Sequence, residues 1–173
     1  GLLAPDVQEK IIGTAQIWLS EYEQAFENIL EAKLSFEKEN DLLYSGKCCY
    51  SLGAYYYYVS DFKESLKWFF ESLKIYQKLE NIIEQANAFN GIGSVYLEIE
   101  NYSEAYKTLV KGYNLLEKKD ADNIKAKIMH SLGETTFYLK KYNKSEYDFS
   151  CCIDISKRKG YNQVFIYAHG GLT

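Results

Sequence analysis

Apolar residues along this chain recur at helical spacing, and that spacing is interrupted at regular intervals. Ala88, Ile92, Val95 and Ile99 fall three or four apart, as do Ile128, Leu132, Thr135 and Leu139. Phe62, Leu66, Phe69, Leu73 and Tyr76 do the same. Residues so spaced share one face of an α-helix. Between such stretches lie short polar segments, "VSDF", "IENY" and "KKYN", where Asp61 and Asn101 are placed to cap the next helix. The only proline, Pro5, stands near the start, so little interrupts helix beyond it. The predicted class is all-α.

The helical pattern itself repeats. Gly13, Gly53, Gly93 and Gly133 are spaced by 40 residues, each preceded by Ile12, Leu52, Ile92 or Leu132. An aromatic follows with the same period at Tyr22, Phe62, Tyr102 and Tyr142. Two further columns hold a small residue (Ala25, Ser65, Ala105, Ser145) and a large one (Ile29, Phe69, Leu109, Phe149). The units so defined run over 6–45, 46–85, 86–125 and 126–163, with the start of a fifth at 164–173. Each reads as two helices joined by a polar turn. A helix pair of this size buries its apolar faces only by stacking on its neighbours, which predicts an α-solenoid.

These columns resemble the tetratricopeptide repeat. The third unit carries the resemblance best, through Phe89, Ile92-Gly93, Tyr96, Tyr102, Ala105, Leu109 and Gly112; the second matches at Leu52-Gly53, Tyr56, Phe62 and Phe69. The chain departs from that family in its longer period, against about 34 residues, in lacking a closing proline, and in placing Gln16 and Thr136 in the tyrosine column. The resemblance implies a right-handed superhelix of helix-turn-helix units whose first helices line a concave, peptide-binding groove. The longer period resembles repeats of bacterial signalling proteins, where they accompany an output domain.

Composition narrows the function. The net charge of −4 disfavours a general nucleic-acid binder, which needs a basic face. Arg158 is the only arginine, so bidentate arginine clamps are not expected. No apolar run reaches the roughly 18 residues a membrane span requires. The opening "GLLAPDVQEK" has neither an initiating methionine nor the pattern of a signal peptide, and reads as the start of a fragment. Cys48-Cys49 and Cys151-Cys152 have neither disulfide-scaffold nor zinc-site spacing, which points to reduced thiols and a cytoplasmic protein. His130 and His169 lack a metal-binding pairing. No cofactor, metal or catalytic set is implied.

Faces of the first helices divide the tyrosine run "AYYYY" at 54–58. The stripe Cys48, Leu52, Tyr55, Val59 is expected to be core, and Cys49, Gly53, Tyr56 to pack between the helices of a unit. A third stripe is polar, variable and aromatic: Lys47, Tyr50, Ala54 and Tyr57, then Asn87, Asn90, Ser94 and Leu97, then Lys127, His130, Glu134 and Phe137. By resemblance it faces the groove, with Tyr58, Trp18, Glu98 and Tyr138 on its flank. Asn87 and Asn90 suit an extended peptide because a carboxamide both donates and accepts. A set of basic and asparagine residues that holds chaperone tails in some relatives is incomplete here: Lys10 and Lys127 fit, whereas Thr14, Ser51 and Ser131 do not. The expected function is a non-catalytic module binding a peptide or protein segment, within a larger signalling protein. The alternative is a free-standing scaffold that self-associates through its terminal helices.

Overall fold

The computed structural model describes residues 5–159, with side chains from 22 to 158. Lys10, Thr14, Gln16 and Trp18, like the fifth unit expected at 164–173, have side chains outside the described residues. The described chain is all-helical: α1 (Pro5–Lys38), α2 (Leu42–Tyr58), α3 (Phe62–Lys78), α4 (Ile82–Glu98), α5 (Tyr102–Leu115), α6 (Asp122–Tyr138) and α7 (Tyr142–Lys159). From α2 onward the helices begin 20 residues apart. The 40-residue period is therefore two helices in a finer register.

One compact turn makes that register. After α2, Ser60 adopts a left-handed backbone (φ 61°), Ser60 N–H donates to the Tyr57 carbonyl, and Asp61 N–H donates to the Tyr56 carbonyl. This is the Schellman arrangement, which satisfies carbonyls left open at a helix end. The Asp61 side chain then accepts from Glu64 N–H at 3.2 Å, opening α3. The same residue thus ends one helix through its backbone and starts the next through its side chain. Asp41, Asn81 and Asn101 cap their helices likewise, accepting from Tyr44, Glu84 and Glu104 N–H. Each such cap contributes about 1 kcal/mol. The residues preceding them, Asn40, Glu80 and Glu100, are also left-handed. Ala121 has no capping side chain, and α5 stops short at Leu115.

The first unit departs from the two-helix expectation, because α1 runs unbroken through the position where the other units turn. Glu21 stands where the register elsewhere places Asp61 or Asn101; glutamate is a good helix former and a poor N-cap. Lys141 also lacks a capping carboxylate or amide, yet the same left-handed turn at Lys140 (φ 58°) ends α6 and α7 folds back on it. There the Ser145 hydroxyl donates to the Gly133 carbonyl at 2.7 Å, and both residues are buried. Ala25, the first-unit counterpart of Ser145, is exposed.

Within each later unit the glycine column makes the close approach possible. A Cβ on Gly53 would lie 2.7 Å from the Phe69 ring, one on Gly93 2.6 Å from Leu109, and one on Gly133 2.8 Å from Phe149. The small-residue column faces the same contact, where Ser65 donates to the Gly53 carbonyl at 2.8 Å just as Ser145 does to Gly133. Phe69 also touches the next unit: a Cβ on Gly91 would stand 2.7 Å from its ring. Two glycines therefore hold one buried aromatic between α2 and α4. The stripe expected to be core is buried at Leu52, Ala88, Ile92, Val95, Ile128, Leu132 and Thr135, but Val59 and Ile99 are exposed. They occupy C-cap positions, where the helix has already ended and no neighbour covers them.

Helices pair as α2 with α3, α4 with α5 and α6 with α7, and successive pairs stack. The first helices also touch one another directly, α2 with α4 and α4 with α6. Among the described residues, the backbones of α3 and α5, and of α5 and α7, do not approach as closely as those of the first helices. Rods closer together on one side than on the other form a curved array. The stack therefore bends with α2, α4 and α6 on its inner side, and the site must be sought there. No described helix is long and apolar enough to cross a membrane.

Candidate functional site

The inner side presents the third stripe. Lys47 and Tyr58 on α2 and Lys127 and Phe137 on α6 are exposed; Tyr50, Tyr57, Asn87, Asn90, Ser94, Leu97, His130 and Glu134 are half-buried. Three side-chain bridges tie neighbouring first helices together. Tyr50 Oη donates to Asn87 Oδ1 (3.3 Å), Tyr57 Oη to Glu98 Oε1 (2.8 Å), and Ser131 Oγ to Asn90 Oδ1 (3.2 Å). Such links hold the stripe rigid before any ligand arrives.

The bridges also sort the two asparagines. Asn87 uses both ends of its carboxamide internally, accepting from Tyr50 and donating through Nδ2 to Glu84. Asn90 spends its oxygen on Ser131 and retains its NH2 group as a donor. Asn90 also lines a cavity of about 170 Å3, together with Tyr50, Ala54, Tyr57, Tyr58 and Ser94, with Phe69 and Gly91 completing it. That volume is small beside the roughly 300–1,000 Å3 of pockets that enclose whole ligands. It suits one side chain of a longer molecule.

The tyrosine run is partitioned by these contacts. Tyr55 and Tyr56 pack on Phe26 of α1, with ring centroids 4.7 and 5.8 Å away. Tyr57 lines the cavity, yet also packs beside Phe62 at 6.1 Å, and Tyr50 sits edge-on to Phe69 at 5.1 Å. Tyr50 and Tyr57 are thus more embedded than a purely solvent-facing stripe. Tyr58 is 71% exposed.

Burial decides the electrostatics. It pushes the Tyr50 phenol up to about 12, assisted by Glu84, and raises Tyr57, assisted by its hydrogen bond to Glu98. Both phenols are neutral donors at physiological pH. Burial also lifts the Glu134 carboxyl above the usual range, with the Glu98 charge adding to it. His130 Nδ1 lies 3.4 Å from Glu134 Oε2, and its ring is edge-on to Phe149 at 5.8 Å. Outside the groove, burial raises the Cys49 and Cys152 thiols to about 11, so they stay protonated as packing groups.

Lys47 and Lys127 lie toward the opposite end of the first helices from Tyr57 and Phe137, ten residues away in each case, or about 15 Å along a helix. Phe69, Gly91 and Glu98 join the site although the sequence places Phe69 in the large-residue repeat column and, by resemblance, Glu98 on the flank, and gives Gly91 no role. The available signal was Gly91, the first glycine in "GIG" at 91–93, outside the 40-residue column. No family model matches the chain, and no curated protein matches it.

Proposed function

We propose that this chain is a non-catalytic, tetratricopeptide-type module that binds an extended peptide or protein segment along α2, α4 and α6. The observation carrying this reading is the cavity between Tyr50, Tyr57, Phe69 and Asn90 on the inner side of a curved array. It combines an apolar floor, a fixed amide donor and aromatic walls, the composition of a side-chain pocket in a peptide interface. Three bridges between first helices preorganise it, so binding loses little to ordering of the receptor.

Panning a phage-displayed random heptapeptide library against the full chain supplies ligands for a test. Tyr57→Ala should weaken binding of enriched peptides by about tenfold or more, as a central aromatic anchor does. Asn90→Ala should weaken it too, and Ser94→Leu, which fills the cavity while leaving both anchors in place, should abolish it. Unchanged affinity in folded Ser94→Leu would refute the groove.

A further inference from the structure

We propose that the groove selects a basic residue: a lysine or arginine side chain beside the apolar one that enters the cavity. This inference rests on the groove reading and names the chemistry of its occupant. It starts from the C-terminal edge of the stripe. Glu98 on α4 is anchored by Tyr57 of α2 and lies within electrostatic reach of Glu134 on α6. Tyr57 in turn feels the Glu134 charge. The hydrogen bond from Tyr57 thus holds the Glu98 carboxylate beside the cavity that Tyr57 lines, with Glu134 of the next helix adding to the negative potential there.

No lysine or arginine among the described residues forms an ion pair with either carboxylate; the basic side chain beside Glu134 is His130. Lys47 and Lys127 are separated from this edge by most of a helix length. Exposed aromatic rings stand at the same C-terminal ends of the first helices: Tyr58, whose ring lies 5.8 Å from that of Tyr57, and Phe137, 71% and 52% exposed. Carboxylates that accept hydrogen bonds, near exposed aromatic rings, match an ammonium or guanidinium on an aliphatic stem. An acidic ligand residue would meet two like charges here. Charge complementarity thus commits the aromatic groove to a basic peptide over a neutral or acidic one.

The library panned against the full chain tests this by composition. Enriched heptapeptides should carry lysine or arginine adjacent to a leucine, phenylalanine or similar residue. By fluorescence anisotropy, replacing that basic residue with glutamine should weaken binding about tenfold. Glu98→Gln and Glu134→Gln should produce a comparable loss with the basic peptide and almost none with its glutamine version. Glu98→Gln keeps an acceptor for Tyr57, so it removes charge without removing the bridge. Enriched peptides that are neutral or acidic, yet still lose affinity in Tyr57→Ala and Ser94→Leu, would overturn the charge selection and leave the groove standing. Peptides indifferent to both groove variants, or no enrichment at all, would overturn the groove reading and this inference together.

Discussion

Adding one methyl group to Gly93 tests the packing that defines the repeat. A Cβ there would stand 2.6 Å from both Cγ and Cδ2 of Leu109, which is fully buried. Ordinary carbon contacts lie near 3.5–4.0 Å, so the leucine must retreat by about 1 Å. Cγ is the branch point of that side chain, and a rotamer change at its tip does not relieve the clash. Overpacking of this kind costs about 1–3 kcal/mol. Alanine offsets part of it, being about 1 kcal/mol better than glycine inside a helix. Gly93→Ala should therefore destabilise by up to about 2 kcal/mol, measured by urea unfolding followed by circular dichroism. Leu109→Ala alone should cost about 2–5 kcal/mol through its cavity. With Leu109 truncated, the new methyl has room, and Gly93→Ala should become stabilising by about 1 kcal/mol. The cycle then yields a coupling of about 1–3 kcal/mol. Additive effects, or a Gly93→Ala variant more stable than the parent, would refute the close approach of α4 and α5.

Other consequences follow from the turns and the buried acids. Glu100 holds a left-handed backbone (φ 60°), so Glu100→Gly should stabilise by about 1 kcal/mol in the same assay; a loss would mean that its side chain contributes to the turn. Tyr50, Tyr57 and Tyr76 all have phenols raised by burial, and so ionise later folded than unfolded. Their contribution is complete below about pH 10 and is lost as pH rises through the folded values, so urea midpoints should fall steeply above that pH. Tyr57→Phe should make the fall shallower, and an unaltered slope would contradict the burial of that hydroxyl. Asp148 is fully buried, and burial lifts its carboxyl above the usual range despite Lys144 and Thr136. Its contribution is present in acid and declines as pH rises through the folded value, so Asp148→Asn should gain most over the parent at neutral pH. An Asp148→Asn protein less stable at neutral pH than in acid, relative to the parent, would show that the Lys144 pair outweighs burial.

The 40-residue architecture was legible because its columns are steric requirements. Gly53, Gly93 and Gly133 face Phe69, Leu109 and Phe149, and a Cβ at any of them would force those rings and branches to shift. The finer 20-residue register was harder to see. Asp41, Asp61, Asn81 and Asn101 are interchangeable cap types, and Ala121 and Lys141 interrupt the series. The continuity of α1 was hidden because Tyr22 and Ala25 keep their columns while the contact those columns serve is not made. At the candidate site, periodicity grouped the stripe from Tyr50 to Phe137 on one face of the first helices, and the resemblance alone turned that face inward. What periodicity could not supply is distance between units. The wedge of Phe69 against Gly91 and the reach of Tyr57 to Glu98 both depend on how closely α2 and α4 approach. Nor could it tell Asn87, spent on Tyr50 and Glu84, from Asn90, whose amide remains a donor.

The central claim is that ligands bind along α2, α4 and α6, and backbone amide chemical-shift mapping with one panned heptapeptide tests it most directly. Saturable shifts should concentrate around Tyr50, Tyr57, Asn90, Ser94, Glu98 and Glu134, with α3, α5 and the far face of α7 nearly silent. Shifts concentrated instead on α3 and α5 would place binding on the outer side of the stack and contradict the account.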